Sequence, residues 1–135
     1  MKAVHQCHDR TQAQGYPLVR RGVDGPGTQM DAEFLLVLCT CPDDGSAAAL
    51  STALVEERLA ACVNRISGVR SRYRWQGQAE SADEVLLLIK TRAERFAALQ
   101  ETICKLHPHE NPEIVGIDIA AGASAYLDWI RSSVK

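Results

Sequence analysis

Leu54–Gly77 reads LVEERLAACVNRISGVRSRYRWQG and changes structural character three times in quick succession. Its first residues finish an Ala/Leu-rich helix predicted to run to about Ala60. Cys62-Val63 then opens an apolar strand, and Gly68 is expected to turn the chain into a second strand. In that second run Val69, Tyr73 and Trp75 alternate with Arg70, Arg72 and Arg74, the period of two that separates the faces of a sheet. Gln76-Gly77-Gln78 reads as the following turn and residues 79–83 as a polar connection.

The flanking segments are elements that pack on this one. Upstream, Phe34–Cys41 is FLLVLCTC, a continuous apolar run that reads as a strand covered on both faces. Pro42 ends it because proline lacks the backbone donor a ladder needs, and Asp43, Asp44 or Ser46 can cap the next helix. That helix places Leu50 and Leu54 in one i,i+4 row and Val55 and Leu59 in a neighbouring one, with Glu56 and Glu57 toward water. Downstream, Glu84–Thr91, EVLLLIKT, is a second apolar strand. Thr91 and Glu94 form a candidate capping box before an amphipathic helix carrying Phe96, Leu99, Ile103 and Leu106, which Pro108 stops. Glu113–Ala120 reads as a fifth strand, and Ser124 as the cap of a last helix with apolar positions Leu127, Ile130 and Val134.

The order β-α-β-β-α-β-α gives an α+β class: a ferredoxin-like β-α-β-β-α-β sandwich with an additional C-terminal helix. The main helices of such a sandwich cover one sheet face, yet Phe34–Cys39 and Val85–Ile89 present apolar side chains to both. The uncovered face predicts self-association through the sheets of several subunits. The domain is expected to span residues 31–135. Residues 1–30, rich in Gln, Gly, Arg and His without periodicity, read as a flexible N-terminal arm. Met30 stands directly before the domain and offers a natural translation start, which would make the arm a start-site artefact. Within the arm His5, Cys7 and His8 are either a soft-metal chelate or a polar tail with incidental ligand types.

Composition narrows the function. With 15 basic and 17 acidic residues the formal net charge is -2, so no global positive field is available to hold nucleic acid or an anionic membrane. The longest apolar run, Phe34–Cys39, is far too short to cross a bilayer. Five cysteines, an odd number with Cys39 and Cys41 alternating along a strand, argue for buried thiols and a cytoplasmic location rather than a disulfide framework.

Three groups of residues carry candidate chemistry. Arg70, Arg72 and Arg74 share a strand face and, with Trp75, read either as an anion-binding patch or as a solvated face paired to Glu80, Asp83 or Glu84. Cys39 and Cys41, at i and i+2, point to one side of their strand, as two thiolates for copper or zinc or as two small hydrophobes. His107-Pro108-His109 can aim two imidazoles at one ion, or can simply place histidine where a helix C-terminus favours it. The sequence contains no glycine-rich phosphate loop or zincin-type helix, and no oxyanion site is identifiable beside the cysteines, so the protein is expected not to be an enzyme.

The blocks LVEERLAACVN, GVRSRYRWQG, EVLLLIKT, LHPHENPEI and AYLDWI, in that order from about Phe34 to Ile130, resemble the CutA family of divalent-cation tolerance proteins. The resemblance implies a compact homotrimer whose sheet edges and hairpin arms join across subunits. It also implies a copper site using a cysteine at the end of the first strand, matched by Cys39, and histidines before a proline, matched by His107. Leu106 stands where a second histidine would be, and His109 occupies a position that is usually aromatic, a possible third ligand. The leading expectation is therefore a non-enzymatic copper-binding trimer serving metal tolerance, with Cys39, His107 and His109 as ligands. The alternative, since the assembly is similar to PII-type proteins, is a signalling module binding a small effector in an intersubunit cleft lined by Arg70, Arg72, Arg74, Trp75 and the loop His107–Pro112. A third is a structural trimer that anchors a partner through its arm.

Overall fold

The computed structural model describes residues 32–135. The proposed arm and alternative start, with His5, Cys7, His8 and Met30, lie outside the described residues. Four strands form one antiparallel sheet in the order β2-β3-β1-β4: β1 is Phe34–Cys41, β2 Cys62–Trp75, β3 Gln78–Arg92 and β4 Val115–Asp118. Three α-helices follow the ferredoxin-like plan, α1 Asp44–Glu56, α2 Phe96–Leu106 and the additional α3 Ser124–Ser133.

The two runs expected as separate strands on either side of Gly68 are one, because β2 is continuous. Gly68 (φ +79°) does not turn the chain; it forms a bulge at which Ser67 and Gly68 oppose Val85 alone, between the pairs Ile66 to Leu86 and Val69 to Glu84. Residues 79–83 are ladder as well, pairing Arg70 with Asp83 and Tyr73 with Glu80. The reversal is made by Gln76 (φ 48°) and Gly77 (φ 79°), a two-residue hairpin turn with both residues left-handed. β4 is four residues long instead of the expected eight, and only Ile119 N–H to Phe34 O extends its pairing.

Alternation divides the sheet into two unlike faces. Leu35, Val37, Cys39 and Cys41 of β1 and Val85, Leu87 and Ile89 of β3 point under α1 and α2, where they meet Leu50, Leu54, Leu99 and Ile103 in the main core. On the other face α3 covers only the Phe34 end, through Ile130 and Val134. Arg131 strengthens that contact with bonds of 2.6 and 3.0 Å to the Glu33 carboxylate and lies over the Phe34 ring. The remaining strip, Leu36, Leu38, Leu86 and Leu88 with Ile66, Val115 and Ile117 on the flanking strands, is half-buried or exposed.

Helix ends depart from the pattern where tertiary contacts override it. Asp43 caps α1, its carboxylate accepting from Ser46 N–H at 2.7 Å. The helix stops at Glu56, short of Ala60, because Arg58 adopts φ 59° and its guanidinium donates to the Ser132 and Ser133 carbonyls at 3.0 and 3.1 Å. The close of α1 and the end of α3 are thereby tied together. Val55, in the predicted apolar row, is exposed, while Leu59 is buried. The Thr91–Glu94 capping box is not made: Thr91 is buried and donates to the Leu59 carbonyl at 2.6 Å, Glu94 pairs with Arg92, and α2 begins after a 3-10 turn at Ala93–Arg95. Leu106 faces outward, and Ala123, not Ser124, precedes α3 without a side-chain cap.

Candidate metal centre

The centre is assembled from the end of β1 and the residue after α2. β1 holds Cys39 and Cys41 on its helix-covered face, both with no exposed surface. His107 follows α2 with φ -73° and ψ 135°, the extended conformation that a following proline imposes. That bend brings the imidazole, 1% exposed, against β1, with Nε2 2.7 Å from the Thr40 carbonyl. Nδ1 accepts the His109 backbone N–H at 3.0 Å, so the proton of the neutral ring belongs on Nε2, which donates to Thr40.

One potential donor atom from each of Cys39, Cys41 and His107 lies within 4.8 Å of the others. The two thiols are coupled. The Cys39 thiol is pushed well above the ordinary value because it is hydrogen-bonded to Cys41 and buried, whereas Cys41 is pulled down by that same hydrogen bond and by His107 beside it. The pair therefore loses a first proton readily and holds the second tightly.

These residues fit a soft metal ion. Two sulfurs bound to one ion at about 2.3 Å each lie no more than roughly 4.6 Å apart, and donor atoms within 4.8 Å of one another are in the range a shared ion requires. Thiolate and imidazole donors suit copper and zinc, not magnesium or calcium. Coordination by either ring nitrogen of His107 costs one of its hydrogen bonds, about 1 kcal/mol.

Of the residues expected at the site from sequence, Cys39 and His107 are brought together. The ring of His109 is exposed and tilted 55° to that of His107, with centroids 5.0 Å apart, and it is outside the close group. Its contribution is the backbone N–H that holds His107. Cys41 stands in the group instead. Its i,i+2 spacing from Cys39 was the sequence signal for this, but the family resemblance gave it no role.

The arginine stretch lies apart from the thiols. Arg70 meets Asp83 at 3.6 Å with both side chains almost fully exposed, a pair worth about 0–1 kcal/mol, and Arg72 donates to Ser81 Oγ at 3.1 Å. Arg72, Arg74 and Trp75 line an open pocket of ≈ 830 Å³ with His109, Glu110 and Glu113 opposite; Arg70 is not part of its wall. The hairpin and the loop after His107 thus border one concavity within a single chain.

Comparison with known proteins gives a consistent picture. The family model described as "CutA1 divalent ion tolerance protein" matches residues 35–133. The divalent-cation tolerance protein CutA of Thermus thermophilus is 49% identical over 98 residues, covering 73% of this chain and 95% of that protein. Its namesake from Pectobacterium atrosepticum is 40% identical over 103 residues, covering 76% of this chain and 94% of its own length. Among solved structures, the Thermus thermophilus Cut A1 protein superposes with a TM-score of 0.75 at 47% identity, covering 76% of this chain and 99% of its own. CutA from Xylella fastidiosa gives 0.75 at 42% identity, covering 77% and 100%.

Proposed function

This chain belongs to the CutA1 divalent ion tolerance family, and from that membership we propose that it is a cytoplasmic, non-enzymatic homotrimer that holds copper through Cys39 and His107 and so contributes to metal tolerance. The observation that carries the reading is the buried juxtaposition of a thiol and an imidazole, from elements distant in sequence, with donor atoms within 4.8 Å. A soft donor set sealed from water is what binds a thiophilic ion. The chain's own residues do the rest: Thr40 and the His109 backbone orient the imidazole, and the core around β1 keeps the thiols dry.

The assembly is inferred from the sheet. The strip Leu36, Leu38, Leu86 and Leu88, continued by Ile66, Val115 and Ile117, is apolar and contiguous, and no helix among the described residues lies over it. A second and third copy of the chain bury it by packing sheet against sheet. Sedimentation velocity of the purified full-length protein is expected to show three chains per particle, and a monomer at micromolar concentration would refute the trimer.

Copper(I) affinity of the full chain, measured under reducing conditions by competition against a chromogenic chelator, tests the metal reading. The native protein is expected to bind one ion per chain and Cys39→Ser to lose that binding. A native protein that fails to compete sinks the copper reading. The pocket of Arg72, Arg74 and Trp75, the effector site of the PII-type alternative, would then be the place to look.

A further inference from the structure

We infer that Cys41 is a third metal donor, and that Cys39, Cys41 and His107 together form a two-sulfur, one-nitrogen site selective for a monovalent soft ion of the copper(I) type. The inference deepens the copper reading above and rests on it. With Leu106 in place of a second histidine and 48% exposed, and with the His109 ring in solvent, no other imidazole among the described residues reaches the site. A cysteine and a single histidine alone would leave the ion two-coordinate in a space that also contains a second, fully buried sulfur. Cys41 supplies what the histidine loop does not.

The donor count also bears on selectivity. Zinc in closed protein sites takes four ligands, calcium six to eight oxygens, and copper(II) prefers nitrogen and oxygen in a tetragonal array. Among the described residues the close group has three members, all buried and none a carboxylate. Copper(I), matched by thiolates and content with few ligands, is the ion such a group satisfies. The sulfur pair also has a fixed spacing, because Cys39 and Cys41, at i and i+2 of β1, sit in the ladder to β3 opposite Leu87 and Val85 and cannot swing apart without breaking it.

X-ray absorption of the copper(I)-loaded native full-length protein reads the donor set without any substitution, and two sulfurs with one nitrogen are expected. Chelator competition with Cys41→Ala is expected to show an affinity at least about 100-fold below native, the larger end of what even an indirect site partner contributes. In that variant the sulfur count falls to one. A native spectrum with a single sulfur, or a Cys41→Ala affinity indistinguishable from native, overturns the role of Cys41 while leaving the Cys39–His107 reading intact. Failure of the native protein to bind copper(I) overturns both. Zinc competing as well as copper(I) at equal concentration refutes the selectivity.

Discussion

Leu87→Ala is expected to lower the stability of the protein by about 3–5 kcal/mol, the upper part of the range for emptying a leucine site in a rigid core. Leu87 sits in β3, hydrogen-bonded on both sides, opposite Cys39 of β1 and Arg65 of β2. Its side chain is fully buried in the layer that contains Leu50, Leu54, Leu99 and Ile103. Strands paired on both edges cannot close inward, so the cavity persists, and the lost contacts are not recovered. The loss is a large share of the roughly 5–15 kcal/mol that holds a typical domain together. It is read from guanidinium midpoints of native and variant at equal chain concentration, since association adds to apparent stability. Val55→Ala, at an exposed site on α1, is the control and is expected to stay within about 0.5 kcal/mol. A Leu87→Ala loss no larger than that of the control would show that the sheet face under α1 and α2 is not the core described above.

The contrast between those two positions shows where the sequence was readable. Continuous apolar runs announced β1 and the inner half of β3, because burial on one face and partial burial on the other leave no polar position to break the pattern. The split β-α-β order and the shortage of cover on the second face followed from the same runs. The return arm of the hairpin differs for the opposite reason: largely exposed, residues 79–83 have no hydrophobic period to display, and only pairing with 70–74 makes them strand, whereas Val69–Trp75 is the strand its alternation predicts. Val55 and Leu59 look alike in a helical projection, but Arg58 takes a left-handed conformation that is secured by carbonyls of Ser132 and Ser133, far along the chain. No local signal encodes that. At the metal centre, the approach of His107 to β1 depends on how α2 lies against the sheet, which spacing alone does not give. Whether His109 points in or out depends on the loop after Pro108, and Cys41 could be recognised only as half of a C-x-C pair.

His107→Ala is expected to cost about 3–5 kcal/mol in the metal-free protein, before any ion is added, because the ring has a structural duty as well as a candidate chemical one. It fills a site with 1% exposure, donates to the Thr40 carbonyl at 2.7 Å and accepts the His109 N–H at 3.0 Å. Truncation leaves a cavity and breaks both hydrogen bonds at once, and the part-buried Thr40 carbonyl left without its donor adds to the cost. Loss of copper binding in this variant therefore cannot be assigned to a lost ligand unless folding is measured beside it. His107→Gln separates the two duties. Its side-chain amide reaches about as far as the imidazole Nε2 and can donate to Thr40, yet an amide is a poor ligand for a soft ion. Denaturant midpoints are expected to recover much of the stability lost in His107→Ala, while copper(I) competition shows no recovery of affinity. A glutamine variant that regains stability and binds copper(I) like the native protein would remove His107 from the ligand set and leave the thiols to act alone. One that regains neither would mean that the ring is needed for its shape, and that the hydrogen bond to Thr40 contributes little to holding the loop on β1.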